Sequence, residues 1–353
     1  MGGVLQLARP EIRELQGYTA ASYESGLVRL NANETPWAAP GDTSVRGWNN
    51  YPEARPATLS RALAEHYGVD AKQLLVTRGS SEAIDLLIRG FCTAGKDSVV
   101  ICPPTFEMYR VYADVQGAKV REIPLLREND FALPVKGILN NWTSTSKMVF
   151  VCSPNNPTGN RAADADLQRL CEGLTDRGLV VVDAAYTEFA DTDPTQDLLA
   201  RYKNVVVLRT LSKAFGLAGV RCGALLGPPA LVDLLARVLP PYSYPTPCQD
   251  AALECLKPEN RAEFSGRIAS IREERSRLLS ELQQLDCVKR IWPSEANFLL
   301  AEVEDARDCV AAAHKAGLLI RDFSYNRALD EGVRITVGTA EQNDRLLESL
   351  KDV

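Results

Sequence analysis

The stretch NVVVLRTLSKAFGLAGVRCGALLG, residues 204 to 227, places a lysine and an arginine between two uninterrupted apolar runs. Apolar runs without polar alternation are typical of strands buried on both faces, as in parallel sheets covered by helices. Similar runs occur earlier in the chain, and helix-period segments separate them. We therefore predict an α/β fold with a largely parallel sheet between helix layers. The predicted strands are LLVTR (74–78), SVVIC (98–102), KMVFVC (147–152), GLVVVD (178–183), NVVVLR (204–209) and CGALLG (222–227).

The pattern changes after about residue 229, where long amphipathic helices precede two more strands, GLLIRDF and GVRITVG, and a closing helix. This order favours a smaller α+β domain, and 353 residues are enough for two unequal domains. We predict an N-terminal arm (1–28), a large domain (29–245) and a small C-terminal domain (246–353). The arm has too few apolar residues to fold alone, so it would lie on a domain or on a second subunit.

Composition excludes several classes of function. The net charge is −6 and the basic residues are scattered, which argues against a nucleic-acid partner. No apolar segment approaches the length that spans a membrane. Two histidines exclude a histidine-rich metal site, and nine cysteines without a CxxC pair indicate reduced thiols in the cytoplasm.

Ligands of open parallel sheets collect beyond the carboxyl ends of the strands, so the residues that follow each strand are informative. RGSSEAIDLLIRG follows the first predicted strand, and Gly79, Ser80 and Ser81 open a helix. The unpaired N–H groups and the dipole of a helix start favour a phosphate. Glycine and serine also cap helices for structural reasons alone. The stretch is not GxGxxG, which argues against a nicotinamide dehydrogenase.

Three other strand ends carry candidate residues. Tyr109, in PPTFEMYRVYADV, could present its ring to a flat ligand or belong to the core. Asn156 lies in the turn SPNNPTGN, where its amide could reach a ligand oxygen. Asp183 ends an apolar strand, so its carboxylate needs a cation or hydrogen-bond donors.

The last strand end contributes Ser212, Lys213 and Arg221. Lys213 taken alone is either a salt-bridged structural lysine or a nucleophile whose pKa is lowered by desolvation. The candidate residues at all the strand ends, taken together, favour the nucleophile. A phosphate site, an aromatic face, an amide, a carboxylate for a ring nitrogen and an imine-forming lysine match one ligand, pyridoxal 5′-phosphate.

With these residues in place, the chain resembles the fold-type I aminotransferases over nearly its whole length, and within them the histidinol-phosphate aminotransferases. The resemblance implies a large PLP-binding domain with a mostly parallel sheet and a smaller α+β domain. The stretches that carry it are LNANETPW (30–37), YPEARP (51–56), TRGSSEAIDLLIR (77–89), CPPTFEMY (102–109), CSPNNPTG (152–159), RTLSKAFGLAGVRCG (209–223), ANF (296–298) and VRITVGT (333–339).

The resemblance implies a role for each residue around the cofactor ring. Lys213 would form the imine with the cofactor, Asp183 would pair with the ring nitrogen, and Tyr109 would stack on the ring. Asn156 and Tyr186 would hydrogen-bond its phenolic oxygen.

The resemblance also implies the contacts to the cofactor phosphate. The backbone N–H groups of Ser81 and Glu82 would bind it together with the side chains of Ser212 and Arg221. The partner subunit's Tyr51 would complete this site, so a homodimer is expected.

For the substrate, the resemblance implies that Arg334 holds the anionic end, helped by Arg321 and Tyr18, with Asn33 nearby. The two arginines could also form salt bridges at the strand edge. The implied partners are small molecules, and the implied reaction is transamination between L-histidinol phosphate and 2-oxoglutarate, with glutamate as a product.

Other readings of the same residues stay open. An aromatic amino acid aminotransferase or a threonine-phosphate decarboxylase could share the fold and the lysine, and a PLP-binding regulator without turnover belongs to another class.

One departure from the family concerns Ala184, where the family usually has glutamate in the sequence DEAY. Asp183 and Tyr186 keep their spacing, so we expect the cofactor chemistry to persist.

Overall fold

The computed structural model describes residues 3–22 and 26–353, and they form two β-sheets flanked by helices. The first sheet has seven strands and the second has four. All six strands predicted for the large sheet are present, which confirms the α/β prediction. The strands are β1 (Leu74–Thr77), β2 (Ser98–Ile101), β3 (Lys119–Glu122), β4 (Ser146–Cys152), β5 (Leu179–Asp183), β6 (Val205–Thr210), β7 (Gly223–Leu226), β8 (Val288–Ile291), β9 (Phe298–Val303), β10 (Arg321–Asp322) and β11 (Gly332–Thr336).

The large sheet has the order β1-β7-β6-β5-β4-β2-β3, and the pairs from β6 to β3 are all parallel. Strand β7 is antiparallel to both of its neighbours, β1 and β6. The beginning of β7 therefore lies at the same edge as the carboxyl ends of the other strands. This topology brings Arg221, which precedes β7, next to the residues that follow β1 and β6.

Side chains along a central strand alternate between two buried faces of the sheet, which explains the continuous apolar sequence. In β5, Val180 and Val182 pack into the core on one face of the sheet. Leu179 and Val181 pack into a second core on the other face. Both faces are covered by helices, so every position of the strand is buried and its residues are apolar up to Asp183 at its carboxyl end.

Helices connect the strands and cover the sheets. None of those in the described ranges combines the length and the apolar character that crossing a membrane requires. The α-helices are α1 (Pro10–Arg13), α2 (Ala57–Tyr67), α3 (Ser80–Phe91), α4 (Met108–Gln116), α5 (Val135–Asn140), α6 (Asp164–Gly173), α7 (Thr195–Arg201), α8 (Pro229–Val238), α9 (Thr246–Cys255), α10 (Arg261–Leu282), α11 (Ala306–Lys315) and α12 (Ala340–Leu350).

Strand β3 was not predicted, and its sequence explains why. It reads KVRE and lies at the edge of the sheet, where only Val120 packs against the core. Charged residues are common on edge strands because they discourage pairing with another chain. The short run therefore lacks the apolar pattern by which the other strands were recognised.

The second sheet is antiparallel, with the order β10-β11-β9-β8, and it packs with α10, α11 and α12 around a separate core. Arg321 of β10 lies directly opposite Arg334 of β11 in this sheet. The pairing brings two guanidinium groups side by side, and their surroundings are described below.

The division of the chain into domains remains a prediction. Ala252 of α9 belongs to the core of the first sheet, so we propose that the boundary follows α9 rather than residue 245. In the predicted arm, Val4 and Ala8 pack into the core beside α8, and Arg9 bonds the carbonyl oxygens of Arg89 and Gly90. This first part of the arm therefore packs on α3 and α8 of its own chain.

Candidate active site

A cavity of about 490 Å³ lies at the carboxyl edge of the large sheet, where residues from the second sheet close one side of it. Its walls include residues that follow β1, β2, β4, β5 and β6, and the stretch from β10 to β11. Asp183 pairs with Cys152 of β4 on one side and with Leu208 of β6 on the other, so it marks the middle of this edge. Ligands of open α/β sheets bind at this position.

The start of α3 forms one end of the cavity. Gly79 precedes the helix with a positive φ of 75°, and no side chain caps the helix. A Cβ on Gly223 would lie 2.6 Å from the Gly79 carbonyl carbon, so only glycine lets β7 approach this turn. Because no side chain caps the helix, its first N–H groups, including that of Ser81, are available for an anion.

Arg221 adds a cation beside this helix start. Its Nη1 donates to Ser212 Oγ at 3.3 Å and its Nη2 donates to the Arg78 carbonyl oxygen at 3.4 Å. A Cβ on Gly79 would lie 2.6 Å from Arg221 Nη2. The guanidinium, the Ser212 hydroxyl and the helix start thus form a cradle suited to a phosphate.

The carboxylate of Glu82 is engaged outside this cradle. Its carboxylate accepts a hydrogen bond from the Arg78 backbone N–H at 2.7 Å and one from Arg78 Nε at 2.7 Å. The side chain is buried and does not line the cavity. This geometry agrees with the expectation that Glu82 offers an N–H group, which remains a proposal.

Asp183 lies buried at the floor of the cavity with one oxygen satisfied and one orphaned. Tyr109 Oη donates to Oδ2 at 2.9 Å, whereas Oδ1 is buried without a hydrogen-bond partner among the described residues. Burial raises the pKa of Asp183 to about 6, against the effect of the Tyr109 hydrogen bond. A protonated ring nitrogen in the cavity would satisfy the orphaned oxygen.

Lys213 follows β6 and opens into the cavity. Desolvation by the cavity walls lowers the pKa of its ammonium, and the charges of Arg334 and Arg221 lower it further. The ammonium lies 5.4 Å from the centroid of the Tyr186 ring. A lysine with a depressed pKa is a better nucleophile and base because more of it is neutral.

Asn156 and Tyr186 form a polar pair in the cavity wall. Asn156 Nδ2 donates to Tyr186 Oη at 3.4 Å, and Asn156 Oδ1 accepts a hydrogen bond from Arg334. Both side chains line the cavity. Their donors can converge on one oxygen of a ligand, and the pair links the cofactor end of the cavity to the guanidinium of Arg334.

Arg321 and Arg334 face the cavity from the second sheet. Like charges that lie directly opposite on neighbouring strands are destabilising, yet neither arginine forms an ion pair with an acid in residues 3–22 and 26–353. Burial lowers the pKa of Arg334, and the neighbouring Arg321 charge acts in the same direction. The geometry therefore does not match the alternative of structural salt bridges, and the pair is suited to an anion.

Tyr109 does not have the predicted position. Its ring is fully buried and stacks on Phe150, with centroids 4.7 Å apart and an interplanar angle of 8°. Phe106 lines the cavity three residues earlier in the chain. We therefore assign the ring-stacking role to Phe106 as a proposal and give Tyr109 the role of orienting Asp183. The bulky residue directly after PPT was the available sequence signal.

Three predicted residues lie outside the cavity of their own chain. Tyr51 and Tyr18 are exposed by 53% and 68%, and both contact the ring of Tyr242, with centroids 4.9 and 6.4 Å away. Asn33 is exposed and adopts a positive φ of 56°. We propose that a second subunit brings such residues to a cavity.

Glu107 and Tyr325 also line the cavity and were missed by the sequence analysis. Glu107 precedes α4 and Tyr325 follows β10, and the Tyr325 hydroxyl donates to Glu107 Oε1 at 2.9 Å. Ala184, where a glutamate was expected from the resemblance, is buried in the apolar core under the sheet. No group of histidine, cysteine or carboxylate side chains within the described ranges could hold a metal ion.

These features fit pyridoxal 5′-phosphate. The cradle at α3 suits its phosphate, the orphaned Oδ1 of Asp183 suits its ring nitrogen, and Asn156 and Tyr186 suit its phenolic oxygen. Lys213 is the amine within the same cavity that can bind its aldehyde.

Comparison with known proteins agrees with this fit. Residues 29–350 match the family model described as aminotransferase class I and II. Histidinol-phosphate aminotransferase of Stenotrophomonas maltophilia is 40% identical over 351 residues, which are 98% of this chain and 96% of that protein. The protein of the same name from Xanthomonas campestris pv. campestris (strain B100) is 42% identical over 99% of this chain and 97% of its own.

Solved structures share the fold. Histidinol-phosphate aminotransferase of Clostridium acetobutylicum has a TM-score of 0.78 at 21% identity and covers 87% of this chain and 91% of its own. The Sinorhizobium meliloti enzyme of that name, solved with pyridoxal-5′-phosphate, has a TM-score of 0.76 at 22% identity, over 86% and 82%. L-threonine-O-3-phosphate decarboxylase of Porphyromonas gingivalis has a TM-score of 0.72 at 24% identity, over 86% and 90%. The chain belongs to the class I and II aminotransferases, and it is a PLP-dependent enzyme.

Proposed function

We propose that this protein transfers the amino group of L-histidinol phosphate to 2-oxoglutarate, giving imidazole acetol phosphate and L-glutamate, a step of histidine biosynthesis. The relatives that are 40–42% identical over nearly the whole chain carry the name of this activity. The observation that carries the proposal is the cross-strand pair of Arg321 and Arg334 on the cavity.

The arginine pair suits a donor with a phosphate and an acceptor with carboxylates. A guanidinium presents the same planar pair of N–H groups to a phosphate as to a carboxylate. Arg334 is fixed by its hydrogen bond to Asn156, and Arg321 lies opposite it on β10. Two adjacent cations without acidic partners therefore favour a doubly charged group over a single carboxylate.

Each side chain around the reacting carbon has a distinct task. The bound cofactor supplies an electron sink for the negative charge that develops at that carbon. Lys213 moves the proton from it, and its lowered pKa keeps a neutral amine available as the base. Asp183 holds its negative charge against the ring nitrogen, while Asn156 and Tyr186 donate to the phenolic oxygen.

A homodimer is part of the proposal. The exposed Tyr51 and Tyr18 cluster on the half-buried Tyr242, outside the cavity of their own chain. Several apolar side chains in the same segment are also exposed, which is typical of a surface that another chain covers. They are Leu27, Val28, Leu30, Trp37, Val45 and Trp48. We infer that the partner subunit's Tyr51 reaches the phosphate cradle.

We place the protein in the cytoplasm. All nine cysteines are free, and seven of them are buried. Unpaired buried thiols are typical of proteins that work in a reducing compartment.

The decisive experiment is a pair of half-reactions on the purified, cofactor-loaded protein. Histidinol phosphate should discharge the cofactor's absorbance band, and 2-oxoglutarate should restore it with release of glutamate. Release of carbon dioxide from threonine phosphate would identify a decarboxylase instead. Faster turnover of phenylalanine or tyrosine would identify an aromatic aminotransferase. No turnover with any of these substrates would leave a non-catalytic PLP-binding protein.

A further inference from the structure

Glu107 is the exposed acid in a cavity whose other accessible charges are positive. Asp183, the second acid of the lining, is only 2% exposed and lies at the floor. Glu107 stands at the start of α4, on the wall that the large sheet contributes. The cationic side chains of the lining are Lys213, Arg221, Arg321 and Arg334.

Tyr325 holds this carboxylate from the opposite wall. Its hydroxyl donates to Glu107 Oε1 at 2.9 Å and thereby joins the stretch after β10 to the start of α4. Glu107 has no ion pair with a lysine or arginine in the described part of the chain. A carboxylate accepts several hydrogen bonds, so Glu107 keeps acceptor capacity toward the cavity after its bond to Tyr325.

Each substrate of the proposed reaction has one anionic arm, and the two substrates differ in the chemical character of the other arm. The amino carbon of histidinol phosphate carries a phosphate arm and an imidazole arm, whereas that of glutamate carries a carboxylate and a second carboxylate arm. The arginine pair suits the anion that the two substrates share. The remaining arm is an N–H donor in one substrate and an anion in the other, and phenylalanine offers neither.

We propose that Glu107 is a specificity-determining residue, which accepts a hydrogen bond from the imidazole N–H of the amino donor, and that Tyr325 positions it. The inference rests on the proposed function, because it assigns the imidazole arm of that substrate to one wall of the same cavity. The second carboxylate of glutamate is repelled by Glu107 and drawn to Arg321. Phenylalanine offers no donor to the acceptor capacity that Glu107 keeps beside its bond to Tyr325.

Glu107→Gln tests this assignment with almost no change of shape. The amide can still accept the Tyr325 hydrogen bond, but it has lost the charge. Because hydrogen bonds to charged groups are the stronger ones, the KM and the dissociation constant for histidinol phosphate should rise about tenfold. The KM for glutamate should fall or stay constant, and kcat should change less than threefold, because the reacting atoms are untouched.

Two further variants separate specificity from loss of structure. Tyr325→Phe should shift the same two KM values in the same directions but by less, roughly threefold, because Glu107 keeps its charge and loses its positioning bond. The removed hydroxyl also interacts with Arg321. Asp114→Asn removes one negative charge from the exposed face of the same helix, outside the cavity, and should leave both KM values unchanged. Thermal unfolding should be alike in all of these proteins.

The pH dependence gives an independent readout. The imidazole of the free donor becomes protonated as the pH falls through about 6.5, and the cation binds an anionic Glu107 more tightly. The ratio of histidinol phosphate affinity between the parent protein and Glu107→Gln should therefore grow as the pH falls from 8 to about 6.

Two failures can be told apart. If the parent protein does not turn over histidinol phosphate, the proposed function is wrong. If the parent protein turns it over and Glu107→Gln has unchanged KM values for both substrates, or raises both alike, the role of Glu107 is wrong while the function stands.

Discussion

Tyr109 Oη donates to Asp183 Oδ2 at 2.9 Å, and the second oxygen of that carboxylate is buried without a partner. The hydrogen bond leaves Oδ1 as the free acceptor at the floor of the cavity. The arrangement orients the acid before any ligand binds, at the expense of a desolvated charge. The cofactor's ring nitrogen would offset this desolvation cost, so cofactor binding and folding stability are coupled through Asp183.

This coupling predicts a pH dependence of stability in the cofactor-free protein. Burial raises the pKa of Asp183 from 3.8 to about 6, so the folded state binds a proton that the unfolded state has released. The free energy of unfolding should therefore decrease as the pH rises from about 4 to about 6, by an amount on the order of 3 kcal/mol. Asp183→Asn should lack this contribution.

Denaturant unfolding of both proteins at several pH values measures the effect. The difference in unfolding free energy between Asp183→Asn and the parent protein should increase with pH in this window and then level off. A constant difference would contradict the raised pKa. Saturation with the cofactor should remove most of the difference in pH dependence, because the carboxylate then has a cationic partner.

The position of Phe106 predicts the result of truncating it. Phe106→Ala removes the aromatic side chain that lines the cavity, so the dissociation constant of the cofactor should rise about tenfold. Phe106→Tyr keeps the ring and should bind the cofactor normally. Equilibrium titration by absorbance measures both constants. Unchanged cofactor affinity in Phe106→Ala would mean that another residue stacks on the cofactor ring.

Strand-end positions could be predicted from sequence because burial on both faces leaves a continuous apolar signal. That signal located the turns holding Asn156, Asp183 and Lys213 to within a few residues. It could not decide between Phe106 and Tyr109, which are neighbours on one turn, because either aromatic could face the cavity. Packing against Phe150 decides the matter, and this contact is distant in sequence.

Contacts between the two sheets were also beyond the sequence patterns. The bond from Tyr325 to Glu107 joins residues that are 218 positions apart. Arg321 and Arg334 were expected to bind the substrate, but their direct pairing depends on the register of β10 and β11. Register is set by which face of each strand is buried, and the two-residue strand β10 is too short to display an alternation.

The arginine pair predicts a loss of substrate recognition without a loss of cofactor affinity. Arg334→Ala should lower kcat/KM for histidinol phosphate by about 10² to 10³, because it removes a partly buried charged contact. Cofactor affinity should be nearly unchanged, since the phosphate cradle at α3 is separate. Arg321→Ala should cost less, because Arg321 is more exposed than Arg334.

Kinetic constants and cofactor titration measure the two affinities for each variant. Arg307→Ala, on the exposed first turn of α11, is a control for loss of one positive charge from the second domain. Release of the cofactor from Arg334→Ala with normal substrate affinity would mean that its role has been assigned incorrectly.

The position of Lys213 predicts the result of removing its amine. Lys213→Ala should abolish turnover and the borohydride labelling of the protein by its cofactor, whereas Lys203→Ala, before the other end of β6, should abolish neither.

The exposed position of Tyr51 predicts complementation between two inactive subunits. Tyr51→Ala should weaken cofactor binding at the neighbouring subunit's cavity. After subunits of Lys213→Ala and Tyr51→Ala are mixed and allowed to exchange, half of the dimers are hybrids. Each hybrid has one cavity with both Lys213 and the partner subunit's Tyr51, so the mixture should recover up to about a quarter of the parent activity at limiting cofactor. If Tyr51 served the cavity of its own chain, each hybrid cavity would carry one defect and mixing would restore nothing.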